Sequence, residues 1–161
     1  LCGGAPLPQV LAERWRASHV IVLELLISTE YWLSFVNYGD TSQDGRALYY
    51  AVEGVDFAVL PQDEETLRSE PGSEGELCIR GPMVSPGYVT VPGASDGAPD
   101  GAEAPGILDA AGRAFLRVRD LVRLGVPRSP GAACSLEFCG RSDHLVKVGG
   151  DFVDLAVAAR R

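Results

Sequence analysis

What most restricts this chain is the length of its apolar runs. After Trp32 none continues far before Gly, Pro or Asp interrupts it, as in "ALYYAVEGVDFAVL", "GELCIRG", "AFLRVRDLVRLG", "SLEFCG" and "HLVKVGGDFVDL". Short strands punctuated by turn residues predict antiparallel sheet or a small barrel. Upstream the pattern differs. "PLPQVLAERWRAS" sets Pro8 at a first helical position and repeats Leu7, Val10, Leu11 and Trp15 at the spacing of one buried helical face, which predicts an amphipathic helix of about three turns. "HVIVLELLI" then runs apolar almost without a break, as in a strand covered on both faces. The expected fold is α+β: the edge of an α/β subdomain over residues 1–60, then a small antiparallel β-barrel-like subdomain over 61–139. Within the latter, "VPGASDGAPDGAEAPG" at 91–106 offers almost nothing to bury and is expected to be a flexible surface insertion between strands.

With 161 residues, 46% hydrophobic and 22% charged, the chain can bury a core without a disulfide or a metal. Four cysteines, Cys2, Cys78, Cys134 and Cys139, lack both a CxxC pair and a companion histidine at ligand spacing. Neither a zinc site nor a disulfide framework is encoded, and a reducing intracellular compartment, cytoplasm or mitochondrial matrix, is expected. A net charge of −8 repels phosphate backbones and anionic lipid, which argues against nucleic acid and membrane surfaces as partners. A small charged ligand in a local pocket is compatible with it. The longest apolar stretch, from Val20 to Ile27, includes Glu24 and falls far short of the ~20 residues of a membrane span. The opening "LCGGAPLP" reads as the interior of a protein, so a segment of a longer product is expected, its apolar faces needing the remainder of its own chain or a protein partner.

Several candidate chemistries are excluded by their own residues. "DTSQDG" has oxygen ligands at Asp40, Ser42 and Asp44, but Ala51 stands where a calcium loop needs a bidentate carboxylate, so a polar turn is expected. "QDEET" at 62–66 follows a proline and reads as a solvated acidic loop. His19 and His144 are the only histidines and no GxSxG elbow accompanies them, so a hydrolase triad has no support. "CGGAP" lacks the GxxxxGK[ST] pattern of a phosphate loop.

Order along the chain carries more. "GGAPLP" at 3–8, "STE" at 28–30, "GELCIRGPMVSPGY" at 75–88, "RVRDLVR" at 117–123 and "GRSDHLVKVGG" at 140–150 together resemble the successive core motifs of the adenylate-forming (AMP-binding) superfamily. "GGAPLP" and "GRSD..VKVGG" look most like its acyl-CoA and aryl-CoA synthetase branch. The resemblance implies a ligase that uses ATP, Mg2+ and CoA on a carboxylic acid, as in fatty acid metabolism. It also implies roles for matching residues. Gly3, Gly4, Ala5 and Pro6 occupy the Gly-rich turn that lets backbone approach adenine and acyl substrate. Thr29 matches the hydroxyl that donates to the α-phosphate and Glu30 the carboxylate that holds magnesium. Asp120 matches the aspartate that accepts from both ribose hydroxyls, and Arg141 the arginine that also reaches the ribose. Asp143 matches the hinge to a small C-terminal domain, Gly150 the glycine beside the pantetheine arm, and residues 140–161 the hinge and start of that domain, cut short.

The departures from the family pattern are equally specific. Leu26 and Ile27 stand where the family has an adenine-stacking aromatic and a Gly, and a β-branched side chain crowds that place. Val118 and Arg119 replace the usual Thr-Gly before the aspartate, and "DFVD" follows "KVGG" in place of Arg-Ile-Glu. The family's phosphate loop and catalytic lysine would lie outside these 161 residues, so by themselves they are expected not to form acyl-adenylate. Two functions follow from the resemblance: the nucleotide-binding part of an acyl-CoA ligase, or a degenerate remnant kept as a structural or interaction subunit.

Overall fold

A computed structural model describes residues 2–3, 7–85, 106–142, 145–148 and 151–154. In chain order its elements are β1 (Cys2–Gly3), α1 (Gln9–Ala17), β2 (Glu24–Ser28), β3 (Trp32–Asn37), β4 (Leu48–Ala51), β5 (Asp56–Leu60), β6 (Glu74–Arg80), β7 (Gly106–Leu108), β8 (Ala114–Pro127), β9 (Cys134–Arg141), β10 (Leu145–Val148) and β11 (Asp151–Asp154). Every quoted apolar run after Trp32 supplies at least one strand. Most of the 91–106 segment lies outside the described residues; its last residue, Gly106, begins β7.

The first nine strands form one sheet in the order β1-β2-β3-β4-β9-β8-β6-β5, with β7 added beside β8. Among the described residues only β1 and β2 run parallel, joined through α1 as a βαβ crossover; the other pairings are antiparallel. β10 and β11 form a separate antiparallel hairpin. The expectation of a barrel is corrected: the sheet is open, with β1 at one edge and β5 at the other. Short strands and tight turns dictate antiparallel neighbours, but closure also needs the first and last strands to meet with matched tilt and stagger, and nothing in the local sequence sets that.

The core lies along β8 and its neighbours. Val118, Val122 and Leu124 of β8 join Tyr31, Phe35, Val59, Leu77, Ile79 and Leu136 in one buried cluster. Alternation puts β8 residues of like parity on one face, and Asp120, only 4% exposed, sits in this inward row between Val118 and Val122. A carboxylate in that row departs from the strand's own hydrophobic logic.

The helix forms where expected but is not buried where expected. Pro8 is its N-cap, and Ala12 is the buried residue at 2% exposure, whereas Val10 is 79% and Trp15 40% exposed. The spacing identified the apolar stripe correctly; among the described residues nothing covers it. Arg16 ties the helix to β2 through Glu24 at 3.4 Å. β2 is likewise only half-covered, Glu24 being its one buried residue. The "DTSQDG" stretch is the polar turn its residues predict, pinched by a Thr41–Ala47 bridge with Gly45 at φ 77°. The acidic loop after Pro61 is exposed, and its Glu64 pairs with Arg68 at 2.7 Å. No helix among the described residues is long and apolar enough to cross a membrane.

Candidate functional site

β2 ends at Ser28, and a tight hairpin through residues 29–31 returns the chain as β3, with Ser28 facing Trp32. The apolar run thus delivers Thr29 and Glu30 to the carboxyl end of β2, an edge where open α/β sheets bind ligands. Trp32 takes a left-handed backbone, φ 38°, to close the turn. The loop is knitted by its own hydroxyls. Ser28 Oγ donates to Glu30 Oε2 at 2.6 Å and accepts from the Glu30 N–H at 3.1 Å. Thr29 Oγ1 donates to the same carboxylate oxygen at 3.0 Å. The Ser85 N–H reaches the Glu30 carbonyl at 2.8 Å.

A bulge in β3 re-aims the chain just beyond this turn. Leu26 pairs with Phe35 and Ile27 with Leu33, so Ser34 is the extra residue on β3. Its buried hydroxyl donates to the Tyr31 carbonyl, and Tyr31 turns inward to 0% exposure, edge-on to Phe35 at 5.9 Å between ring centroids. Bulges commonly redirect one side chain beside a site.

A second irregularity brings the partner. Against β6, Glu76 pairs with Leu121 while Cys78 pairs with Arg117, so β8 bulges between those positions. Arg119 there adopts φ 61°, and its N–H donates to Glu76 Oε1 at 3.1 Å. The bulge directs Asp120 toward the hairpin, where Tyr31 OH donates to Asp120 Oδ2 at 2.7 Å. Arg141, opposite Asp120 in the β8–β9 register, donates from its guanidinium to Asp120 Oδ1 at 3.2 Å. Ser142 closes the corner, its N–H donating to the Arg119 carbonyl at 2.8 Å. Burial, then the charge of Asp120 and the hydrogen bond to it, raise the Tyr31 phenol well above its ordinary range, with Glu30 adding to the rise. The phenol therefore stays a donor and Asp120 its acceptor.

Asp120 of β8 and Arg141 of β9 are thus joined to Tyr31, which directly follows Thr29 and Glu30 in the β2–β3 turn. Gly3 lies in β1 opposite Leu25; Gly4, Ala5, Pro6, Asp143 and Gly150 lie outside the described residues. Leu26 packs against the core cluster, so its side chain serves the interior. Tyr31 escaped sequence reasoning. Its one signal was a hydroxyl-bearing aromatic inside a tight turn, directly after two polar residues.

Among the described residues no three His, Cys, Asp or Glu side chains cluster as a metal site. The Glu30 carboxylate, which accepts from Ser28 and Thr29, is of the kind magnesium takes together with substrate phosphates. A groove of about 940 Å³ lies elsewhere, lined by residues such as Phe57, Leu67, Phe115 and Cys134, and none of Thr29, Glu30, Asp120 and Arg141 borders it.

Comparison with known proteins places the chain in a family. The family model for AMP-binding enzymes matches residues 1–89. A nonribosomal peptide synthetase of Aspergillus hancockii is 43% identical over 86 residues, spanning 52% of this chain and 8% of that protein. A long-chain-fatty-acid–CoA ligase of Escherichia coli O157:H7 is 35% identical over 96 residues, spanning 58% of this chain and 17% of the ligase. Among solved structures, the Vibrio cholerae adenylation domain AlmE in complex with glycyl-adenosine-5′-phosphate superposes at TM-score 0.65 with 26% identity, over 95% of this chain and 28% of that one. The chain therefore spans less than a third of the length of each of these three proteins.

Proposed function

This chain belongs to the AMP-binding enzyme family, and we propose on that basis that it is the nucleotide-binding segment of an adenylate-forming ligase. The observation that carries the reading is the assembly of Asp120 and Arg141 beside the Thr29–Glu30 turn, joined through Tyr31. In the reaction, a substrate carboxylate oxygen bonds to the α-phosphorus of ATP, the bond from that phosphorus to the pyrophosphate oxygen breaks, and pyrophosphate leaves with its electron pair. Asp120 accepts from the ribose hydroxyls, and Arg141, donating to its Oδ1, orients it for that task. Thr29 rotates its exposed hydroxyl from Glu30 to an α-phosphate oxygen. Glu30 would hold magnesium, which when bound supplies neutralisation of the phosphate charge.

The acyl-CoA synthetase branch is our first reading of the second half-reaction, in which a CoA thiol displaces AMP from the acyl group. It is supported by the 35% identity to the bacterial ligase and by "GGAPLP" and "GRSD..VKVGG". The 43% identity to a peptide synthetase favours instead an adenylation domain that passes its acyl group to a carrier-bound thiol. Leu26 and Ile27 at the nucleotide end of β2 favour a third role, a remnant kept for its surface.

Pyrophosphate exchange by the full-length protein, with a panel of carboxylic acids, separates these. Active ligase loses at least about 10²-fold in exchange rate on Glu30→Gln, in line with removing one transition-state charge stabiliser. Unchanged exchange in that variant overturns the assignment of Glu30, and absence of exchange with every acid favours the remnant. Exchange above background by the 161 residues alone would refute the expectation that they do not form acyl-adenylate by themselves.

A further inference from the structure

We propose that Tyr31 is a positioning residue for the nucleotide: its hydroxyl, seated on Asp120 Oδ2, fixes the carboxylate in the orientation that reads the ribose. The inference rests on the nucleotide-binding role given above to Asp120.

Three observations carry it. The direction of the Tyr31 hydroxyl is set by the fold, since the ring is wholly buried, packed edge-on to Phe35, and its backbone carbonyl is held by Ser34. The Asp120 carboxylate is gripped by its two different oxygens from two different parts of the sheet, Tyr31 on Oδ2 and Arg141 on Oδ1, which defines its plane. Finally, Tyr31 directly follows Glu30, so one residue sets the spacing between the phosphate-facing turn and the ribose-facing carboxylate. A phenylalanine would fill the same buried volume without burying a hydroxyl, an arrangement that is expensive unless the hydroxyl is bonded. The hydroxyl is bonded to the very carboxylate assigned to the ribose.

A residue that only supports the fold weakens all nucleotides alike, whereas one that orients Asp120 weakens recognition of the ribose hydroxyls. Isothermal titration of the full-length protein with ATP, 2′-deoxy-ATP and 3′-deoxy-ATP distinguishes the two. The unsubstituted protein prefers ATP, and Tyr31→Phe narrows that preference by roughly tenfold, about the worth of one hydrogen bond to a charged group. Equal weakening of all three nucleotides by Tyr31→Phe overturns the proposal. If the unsubstituted protein binds ATP no better than the deoxynucleotides, the ribose role of Asp120 fails and this inference with it. A measurement that needs no variant tracks the ζ-13C resonance of Tyr31 in labelled protein. ATP shifts it and 2′,3′-dideoxy-ATP shifts it much less; equal shifts overturn the proposal.

Discussion

Replacing Asp120 by Ala should be among the more damaging single changes to the described core that leave the backbone intact. The carboxylate is 4% exposed and accepts from a phenol with no exposed surface and from a guanidinium whose side chain is 19% exposed. Loss of the acceptor leaves the Tyr31 hydroxyl buried without it, which costs about 1–3 kcal/mol. Breaking the ion pair with Arg141 costs about 3–5 kcal/mol for a fully buried pair; the residual exposure of Arg141 places this pair at the low end. The two terms share one carboxylate and do not add, so about 3–5 kcal/mol is expected for Asp120→Ala. Asp120→Asn, which keeps volume and one acceptor, should lose about half of that. Urea unfolding reads the loss as a fall in midpoint at constant m-value. The double variant Tyr31→Phe with Asp120→Ala should cost about 1–2 kcal/mol less than the sum of the singles, because both remove the same bond. A loss under ~1 kcal/mol for Asp120→Ala, or additivity within ~0.5 kcal/mol, would refute the idea that Tyr31, Asp120 and Arg141 act as one buried unit.

Other perturbations test the surrounding structure. Tyr31 and Tyr49, the latter pushed up to about 12 chiefly by burial, keep their protons in the folded state above the ordinary tyrosine value of 10.0. The unfolded chain loses them there, so stability is intact below that pH and falls above it by about 1.4 kcal/mol per pH unit for each tyrosine. Tyr31→Phe should remove one such slope from urea midpoints measured at rising alkaline pH, and an unchanged slope would contradict the burial of its hydroxyl. Cys78 is fully buried, and burial followed by the charge of Glu76 pushes its thiol up to about 12. A thiol reagent at neutral pH should therefore modify exposed Cys139 in the native protein but Cys78 only on unfolding, as peptide mass mapping would show. Gly75 admits no side chain: a Cβ there would run into the Leu60 carbonyl and come within 2.7 Å of the Pro61 nitrogen. Gly75→Ala should cost about 1–3 kcal/mol in urea midpoint by overpacking between β5 and β6, and a neutral effect would contradict that contact.

Local chemistry along the chain determined a good deal. Turn residues between short apolar runs specify antiparallel neighbours, because only hairpins are compatible with such short connections, and β4 to β6, β8 and β9 form on those runs. Pro8 and the basic last turn bound helix α1. The switch from "LELLI" to "STE" marked the end of β2 and the polar turn beyond it, since side-chain type follows burial within a few residues.

Tertiary structure decided the rest. Whether the sheet closes depends on where β1 and β5 lie after every twist and bulge has accumulated, and no local pattern records that sum. Whether an apolar helical stripe is covered depends on what packs against it, so Val10 and Trp15 look the same in sequence whether buried or exposed. The site shows the division most sharply. Thr29 and Glu30 are legible as a motif, and so are Asp120 and Arg141. The bond that unites them runs from Tyr31 to a residue 89 positions away. It exists because a bulge at Ser34 and a left-handed Arg119 turn two side chains toward each other, a relation set by three-dimensional register that no local pattern carries.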